Sequence, residues 1–176
     1  MPISSNLRRF SDLEHLGSAT GFVDEIYEIL QPLALFEDFS KQECAVFCEY
    51  MELYGAPSKT SILDEGDDGN YLVIILTGFV RVLKRCGPAS GKQVAELGPG
   101  GIVGEISLFD AQPRFATCVT NAPTDFAVLT RNSLDNILID HPRLCNKLLL
   151  ILLQVMAERL RDTTTRMLPT IVEVPL

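Results

Sequence analysis

Hydrophobic and polar positions along this chain follow two different periods. From Phe22 to Phe36 apolar residues recur at helical spacing (Phe22, Ile26, Ile29 or Leu30, Leu33), and Pro32 ends or kinks the run. Ser40, with Glu43 three residues on, makes a capping box, and Cys44, Phe47, Cys48 and Met51 predict the inner face of a second helix ending near Met51. Between Leu53 and Arg131 the texture changes to short β-rich runs: Thr60 to Leu63, Tyr71 to Leu76, Phe79 to Leu83, Gln93 to Leu97, Phe115 to Val119 and Phe126 to Leu129. Gly, Pro, Asn or Asp clusters stand at most of the breaks. Spacings of about ten residues leave little room for crossover helices, so antiparallel hairpins are expected.

After these runs Asn132 or Ser133 can cap a short helix to Ile139, and Pro142 can open a long final helix running past Arg161. Leu148 to Leu153 are apolar around the whole helix, which demands burial on two sides. The stripe Leu149, Leu152, Met156, Leu160, Thr163 and Met167 predicts a parallel homodimer through this helix. The expected fold is mainly β with flanking helices: an eight-stranded antiparallel β-roll bracketed by N-terminal helices and a long C-terminal helix. The expected division is a loosely packed N-terminal tail (1–21), one domain (22–167) and a C-terminal tail (168–176). Within that domain, helices occupy 22–52, the β-roll 53–131 and further helices 132–167.

Composition narrows the function. With 176 residues, 47% apolar and 22% charged, the chain has the balance of one folded domain and not of a disordered segment. A net charge of −8 opposes the phosphate backbone of nucleic acid, so DNA is not an expected partner. Five scattered cysteines in apolar surroundings read as reduced core thiols, and no N-terminal h-region is visible, so a cytoplasmic location is expected. Leu148 to Val155 is far too short to cross a bilayer, and no membrane partner is expected. Cys44 and Cys48 have no accompanying His or second Cys pair, so no metal is assigned.

Candidate chemistry concentrates in LGPGGIVGEISLFDAQPRFAT, Leu97 to Thr117. Arg114 leaves a loop and enters a β run, so its guanidinium can point into the roll and hold a phosphate with a fork of donors. Glu105 can accept from a ribose hydroxyl, and the backbone N–H groups of Glu105, Ile106 and Ser107 can close on the anion. Gly104 lets the backbone come close.

This stretch resembles the phosphate-binding cassette of the cyclic nucleotide-binding domain family. Gly104, Glu105, Leu108, Pro113, Arg114, Ala116 and Thr117 match its pattern. Upstream, GDDGNYLVIILTGFVRV is similar to the family's segment with two structural glycines, here Gly66 and Gly78, and Gly69 and Tyr71 fit it too. LFEDFSKQE and MAERLRDTTTR are similar to the helical lead-in and the long helix of bacterial catabolite-activator relatives, so the likeness runs from about Leu35 to Arg166. The resemblance implies a ligand site at Gly104, Glu105, Ile106, Ser107, Arg114, Phe115 and Ala116. It adds Thr163 and Thr164 at the positions from which the long helix touches adenine across a dimer. Phe115 stands where the family usually has Ala, Ser or Thr. The absence of Thr there tilts the expected ligand to cAMP, with cGMP second. Gly101 stands where Asp is common.

Enzymes on a similar roll need several inward His and carboxylate ligands, and this chain has only His15 and His141, both expected outside the β region. Neither histidine has a recognisable nucleophile-activating context, so no catalytic residue is assigned and no enzyme is expected. The stretch 166–176, with Pro169 and Pro175, cannot hold a helix-turn-helix. The expected function is a sensor that binds a cyclic nucleotide and passes the event through its last helix to an unidentified effector protein. The alternative is a ligand-free interaction scaffold in which Phe115 closes the pocket.

Overall fold

Antiparallel pairing organises the middle of the chain, as the hairpin spacing predicts. The computed structural model describes residues 10–87 and 90–167. Their strands are β1 (Glu14–Ser18), β2 (Met51–Ala56), β3 (Ser61–Leu63), β4 (Tyr71–Ile75), β5 (Val80–Gly87), β6 (Ser90–Leu97), β7 (Ile102–Val103), β8 (Thr117–Thr120) and β9 (Thr124–Thr130). The helices are α1 (Val23–Leu30), α2 (Lys41–Cys48), α3 (Glu105–Asp110), α4 (Arg131–Asp140) and α5 (Pro142–Met167). One sheet runs β1-β2-β9-β4-β7 and the other β3-β8-β5-β6, every pair antiparallel. The architecture is the expected mainly β roll with flanking helices and a long last helix, with nine strands among the described residues where eight are expected.

Residue alternation along the central strands divides the core in two. In β4, Tyr71, Val73 and Ile75 point into the roll, where they meet Ile62, Val80, Val103 and Phe126. Leu72 and Ile74 point the other way, onto a second core with Phe36, Phe47, Leu134, Leu148 and Leu152 from the helices. All five residues of β4 are therefore buried, and the strand reads as a continuous apolar run with no polar face. The helices cover one sheet, and the interior of the roll stays between the two.

Several local features differ from the sequence reading. The capping box forms as expected, with the Glu43 N–H donating to Ser40 Oγ at 3.2 Å, but α2 ends at Cys48 and Met51 opens β2. The charged Glu52 and Gly55 within β2 hid that strand from pattern reading. Thr130 caps α4, in place of Asn132 or Ser133; its Oγ1 accepts from the Ser133 N–H at 3.0 Å. His15 lies on β1 and its Nε2 is 2.8 Å from a Glu52 carboxylate oxygen, so it is within the β region after all.

The expected tail 1–21 is corrected over 10–21. Phe10 is 2% exposed inside the roll, and β1 pairs along β2 with Glu14 opposite Gly55. A lone aromatic in a polar stretch carries no period, and its burial depends on Tyr54, Tyr71 and Phe126, which belong to three different strands far along the chain. Residues 1–9 and the expected tail 168–176 lie outside the described residues.

The expected stripe on the last helix is also corrected. Leu152 is 4% exposed within its own chain and Leu149 packs against the same core, whereas Leu150, Leu153, Leu160 and Met167 are exposed. Helical period alone does not say which of two apolar faces meets the roll.

One buried hydroxyl ties the loop before β3 to β8: Thr120 Oγ1 accepts from the Thr60 N–H at 2.9 Å and donates to the Pro57 carbonyl at 2.7 Å. Thr120→Val keeps the shape but removes the hydroxyl's bonds to the half-buried Thr60 N–H and the exposed Pro57, so urea unfolding should show a loss of about 1 kcal/mol with an unchanged m-value.

Candidate functional site

The site is built where β7 turns into α3 and where the loop before β8 comes alongside. Gly104 makes the turn with φ +81°, and a Cβ there would stand 2.6 Å from Arg114 Nη1. Arg114 is 4% exposed. Its backbone is clamped by two hydrogen bonds, its N–H donating to Asp67 O at 2.8 Å and its carbonyl accepting from the Gly66 N–H at 2.9 Å. Its Nη1 donates to Gly104 O at 2.8 Å, and its Cζ stands 4.3 Å from the centroid of the Tyr71 ring. At Gly69 a Cβ would come within 1.9 Å of Arg114 Nε, so the guanidinium lies against bare backbone on that side. Such a group keeps its charge under burial and presents fixed donors.

Glu105 opens α3 and is 1% exposed. Its Oε1 accepts from Nη1 of Arg159 on α5, whose Nη2 donates to the Ile102 carbonyl. Glu105 Oε2 is buried and has no hydrogen-bond partner among the described residues. A buried carboxylate oxygen without a donor is unfavourable, and it marks where a hydroxyl would be accepted. Seven residues further along α5, Arg166 Nη1 donates to Val94 O of β6 at 2.5 Å, so the outer half of α5 is tied across the roll at two points.

Cys118, on β8, is 3% exposed. Burial pushes its thiol up to about 12, with Arg159 and Arg114 acting against that rise and Glu105 and Asp64 adding to it. Among the described residues no group of three or more His, Cys, Asp or Glu side chains is gathered as a metal ion would need.

The remaining expected site residues fall in three places. Ser107 is buried in α3, and Ile106 and Ala116 are half-buried beside it and beside Arg114. Phe115 turns outward and is 59% exposed. Lys84 holds it there, with Nζ 4.2 Å from the ring centroid and donating to Phe115 O at 2.6 Å and to Glu65 Oε1 at 2.7 Å. That Lys84 bond keeps the Glu65 carboxyl below the usual carboxylate range. Thr163 and Thr164 are exposed on the outer half of α5. By helical spacing Thr163 shares the face of Arg159 and Arg166, while Thr164 stands on the face of Leu160 and donates to that residue's carbonyl at 2.8 Å.

Sequence reading missed Arg159 as a site residue, because its partner lies 54 positions away and nothing local marks it. Tyr71 and Gly69 were visible as parts of a family segment but not as the bed of the guanidinium.

The family described as cyclic nucleotide-binding domain matches residues 56–141. A CRP-like cAMP-activated global transcriptional regulator of Mycobacterium tuberculosis is 27% identical over 140 residues, which are 80% of this chain and 61% of that protein. The chain thus spans about 61% of the length of that curated relative. The regulatory domain of Toxoplasma gondii protein kinase A, crystallised with cAMP, superposes with a TM-score of 0.58 at 26% identity, covering 66% of this chain and 44% of the other. A cyclic nucleotide-binding domain from Methylobacillus flagellatus KT superposes with a TM-score of 0.84 at 43% identity, over 96% of this chain and 95% of that one. A likeness that runs nearly end to end at this identity, on a roll built around Gly104, Glu105 and Arg114, means that the chain belongs to the cyclic nucleotide-binding domain family.

Proposed function

We propose that the chain is a regulatory module that binds a cyclic nucleotide, cAMP first and cGMP second, and passes occupancy to a partner protein through α5. The observation that carries this reading is the junction at Gly104, where a buried, pre-set guanidinium meets a buried carboxylate with one oxygen still without a donor. The cyclic phosphate would lie on Arg114 and on the backbone N–H groups of Ile106 and Ser107, and Glu105 Oε2 would accept from the ribose 2′-hydroxyl. The M. flagellatus domain and the cAMP-bound T. gondii domain support the ligand class. The outward position of Phe115 speaks against the ligand-free scaffold, which needs that ring inside the roll.

Transmission would run through Arg159. It links Glu105 to α5 directly, so a ligand hydroxyl arriving at the same carboxylate changes what holds the helix. The reader of α5 is proposed to act on a dimer. Leu150, Leu153, Ala157, Leu160, Thr164 and Met167 follow alternating steps of three and four, the spacing of a heptad seam, on the face the chain leaves uncovered. A second copy in parallel offers the same seam, which keeps Leu160 and Met167 of the stripe that the sequence pattern predicts and replaces Leu149, Leu152, Met156 and Thr163 by the residues that follow them. Thr164 would then face the partner copy and Thr163 its own roll.

Titration calorimetry should show cAMP binding to the wild type, and Arg114→Ala should weaken it by at least about 2 kcal/mol, because truncation leaves the phosphate without its counter-charge. No binding at millimolar cAMP or cGMP would overturn the reading. Arg159→Ala should lower thermal stability by about 2 kcal/mol, since it strands the Glu105 charge, and Arg159→Ala with Glu105→Gln should recover most of that loss. Equal losses in the single and double variants would remove the coupling between site and helix.

In sedimentation the wild type should run as a dimer at about 20 μM and Leu160→Glu as a folded monomer. Leu152→Glu should instead prevent folding, because that side chain is buried in its own chain. A wild type that runs as a monomer would remove the seam.

A further inference from the structure

The described N-terminal segment reaches the site from below. Phe10 is wedged inside the roll at ring-centroid distances of 5.0 Å from Tyr54, 5.2 Å from Tyr71 and 5.5 Å from Phe126. Its contact with Tyr71 is edge-on, at an interplanar angle of 66°. Tyr71, 4% exposed, in turn lies under the Arg114 guanidinium, with Cζ 4.3 Å from the ring centroid. The order Phe10, Tyr71, Arg114 is therefore one stack of buried groups, running from the N-terminal segment to the cation of the proposed site. The segment is anchored behind Phe10 by the Leu13 N–H donating to Phe10 O at 3.1 Å and by the β1 ladder on β2.

Three physical facts give this stack a consequence. A guanidinium is attracted to the face of an aromatic ring, the more strongly the less water surrounds both. An edge-on neighbour fixes the tilt of that ring, because the positive edge of one ring seeks the negative face of the other. The guanidinium has no slack on its other sides, since a Cβ at Gly69 or Gly104 would already overlap it, so a small change in the ring's tilt moves the charge relative to the anion it is to meet.

We propose that Tyr71, braced by Phe10, is a positioning residue for Arg114, and that the N-terminal segment is a strap whose docking and whose ligand occupancy strengthen each other. This rests on the cyclic-nucleotide reading for the identity of the anion, while the stack itself does not depend on it. The coupling is reciprocal by linkage: if the docked strap raises affinity for the anion, the anion must hold the strap more firmly by the same factor. The partner of the site is thus in part the chain's own N-terminal segment, and anything that pulls β1 off the edge of β2 would also release the ligand.

Calorimetry with cAMP on the full chain tests this, together with hydrogen exchange at 10–18 and 112–117. Tyr71→Phe keeps the ring and should bind within about threefold of the wild type. Tyr71→Leu keeps apolar bulk and loses the ring, and should bind about tenfold more weakly. A purely structural role for Tyr71 would not separate these two variants at equal thermal stability. In the wild type, cAMP should slow exchange at 10–18, and in Tyr71→Leu it should not. Should Tyr71→Leu not fold, Phe10→Leu, which keeps apolar volume but removes the ring edge, is read in the same way with a loss of about fivefold. A wild type that binds cAMP, with Tyr71→Leu binding equally well, overturns the positioning role and leaves the ligand reading intact. A wild type that binds no cyclic nucleotide overturns the ligand reading. The stack is then judged by exchange alone: faster exchange at 112–117 in Tyr71→Leu than in Tyr71→Phe supports it, and equal exchange ends it.

Discussion

A guanidinium cannot lie inside a β-roll unless its surroundings replace the water it has left. Arg114 meets this condition with a carbonyl acceptor at Gly104, an aromatic face at Tyr71 and bare backbone at Gly69. Much of the local architecture follows from that need. Glycine at 69 and 104 is required by the volume of the guanidinium, and the left-handed turn at Gly104 allows β7 to pass directly into α3. The paired backbone bonds to Gly66 and Asp67 fix the loop before β8, so the cation is set before any ligand arrives. A site arranged in this way loses little freedom on binding.

Charge organisation extends from that centre to α5. Glu105 is balanced on one oxygen by Arg159 and open on the other, which makes the carboxylate a joint between the interior of the roll and the long helix. Arg166, bonded to β6, holds the same half of α5 a second time. The inner half of the helix is buried in the core by Leu144, Leu148, Ile151, Leu152 and Val155, while the outer half touches the roll chiefly through arginine side chains. An apolar anchor resists displacement, and a polar clamp can be exchanged for another polar partner. That contrast suits the outer half of α5 to the signalling role proposed for it.

The likeness of Leu97 to Thr117 to a phosphate-binding cassette was legible residue by residue, because glycines, a carboxylate and an arginine at close spacing carry a local signature. The strands richest in branched and aromatic residues were legible as well, and so was the Ser40 cap. β1, β2 and the two-residue β7 were not. β7 is too short for any period, β2 mixes a charge and a glycine into its run, and β1 owes its existence to a free sheet edge supplied by β2. Phe115 is instructive in another way. Its bulk in a small-residue position left a blocked pocket open as an alternative, yet rotation toward Lys84 puts the ring outside, a choice governed by a side chain on another strand.

What the amino-acid order alone determined is whatever depends on near neighbours: alternation within strands, helix caps, the glycine turn and the cassette with its cation and carboxylate. Only the tertiary structure decided which face of α5 is buried, that Phe10 lies beneath Tyr71, and that Arg159 meets Glu105. Periodicity describes an element relative to its own axis and is silent about rotation around it. Contacts between residues 50 or 60 positions apart are set by how the two sheets and the last helix fill space together, and no local pattern encodes that packing.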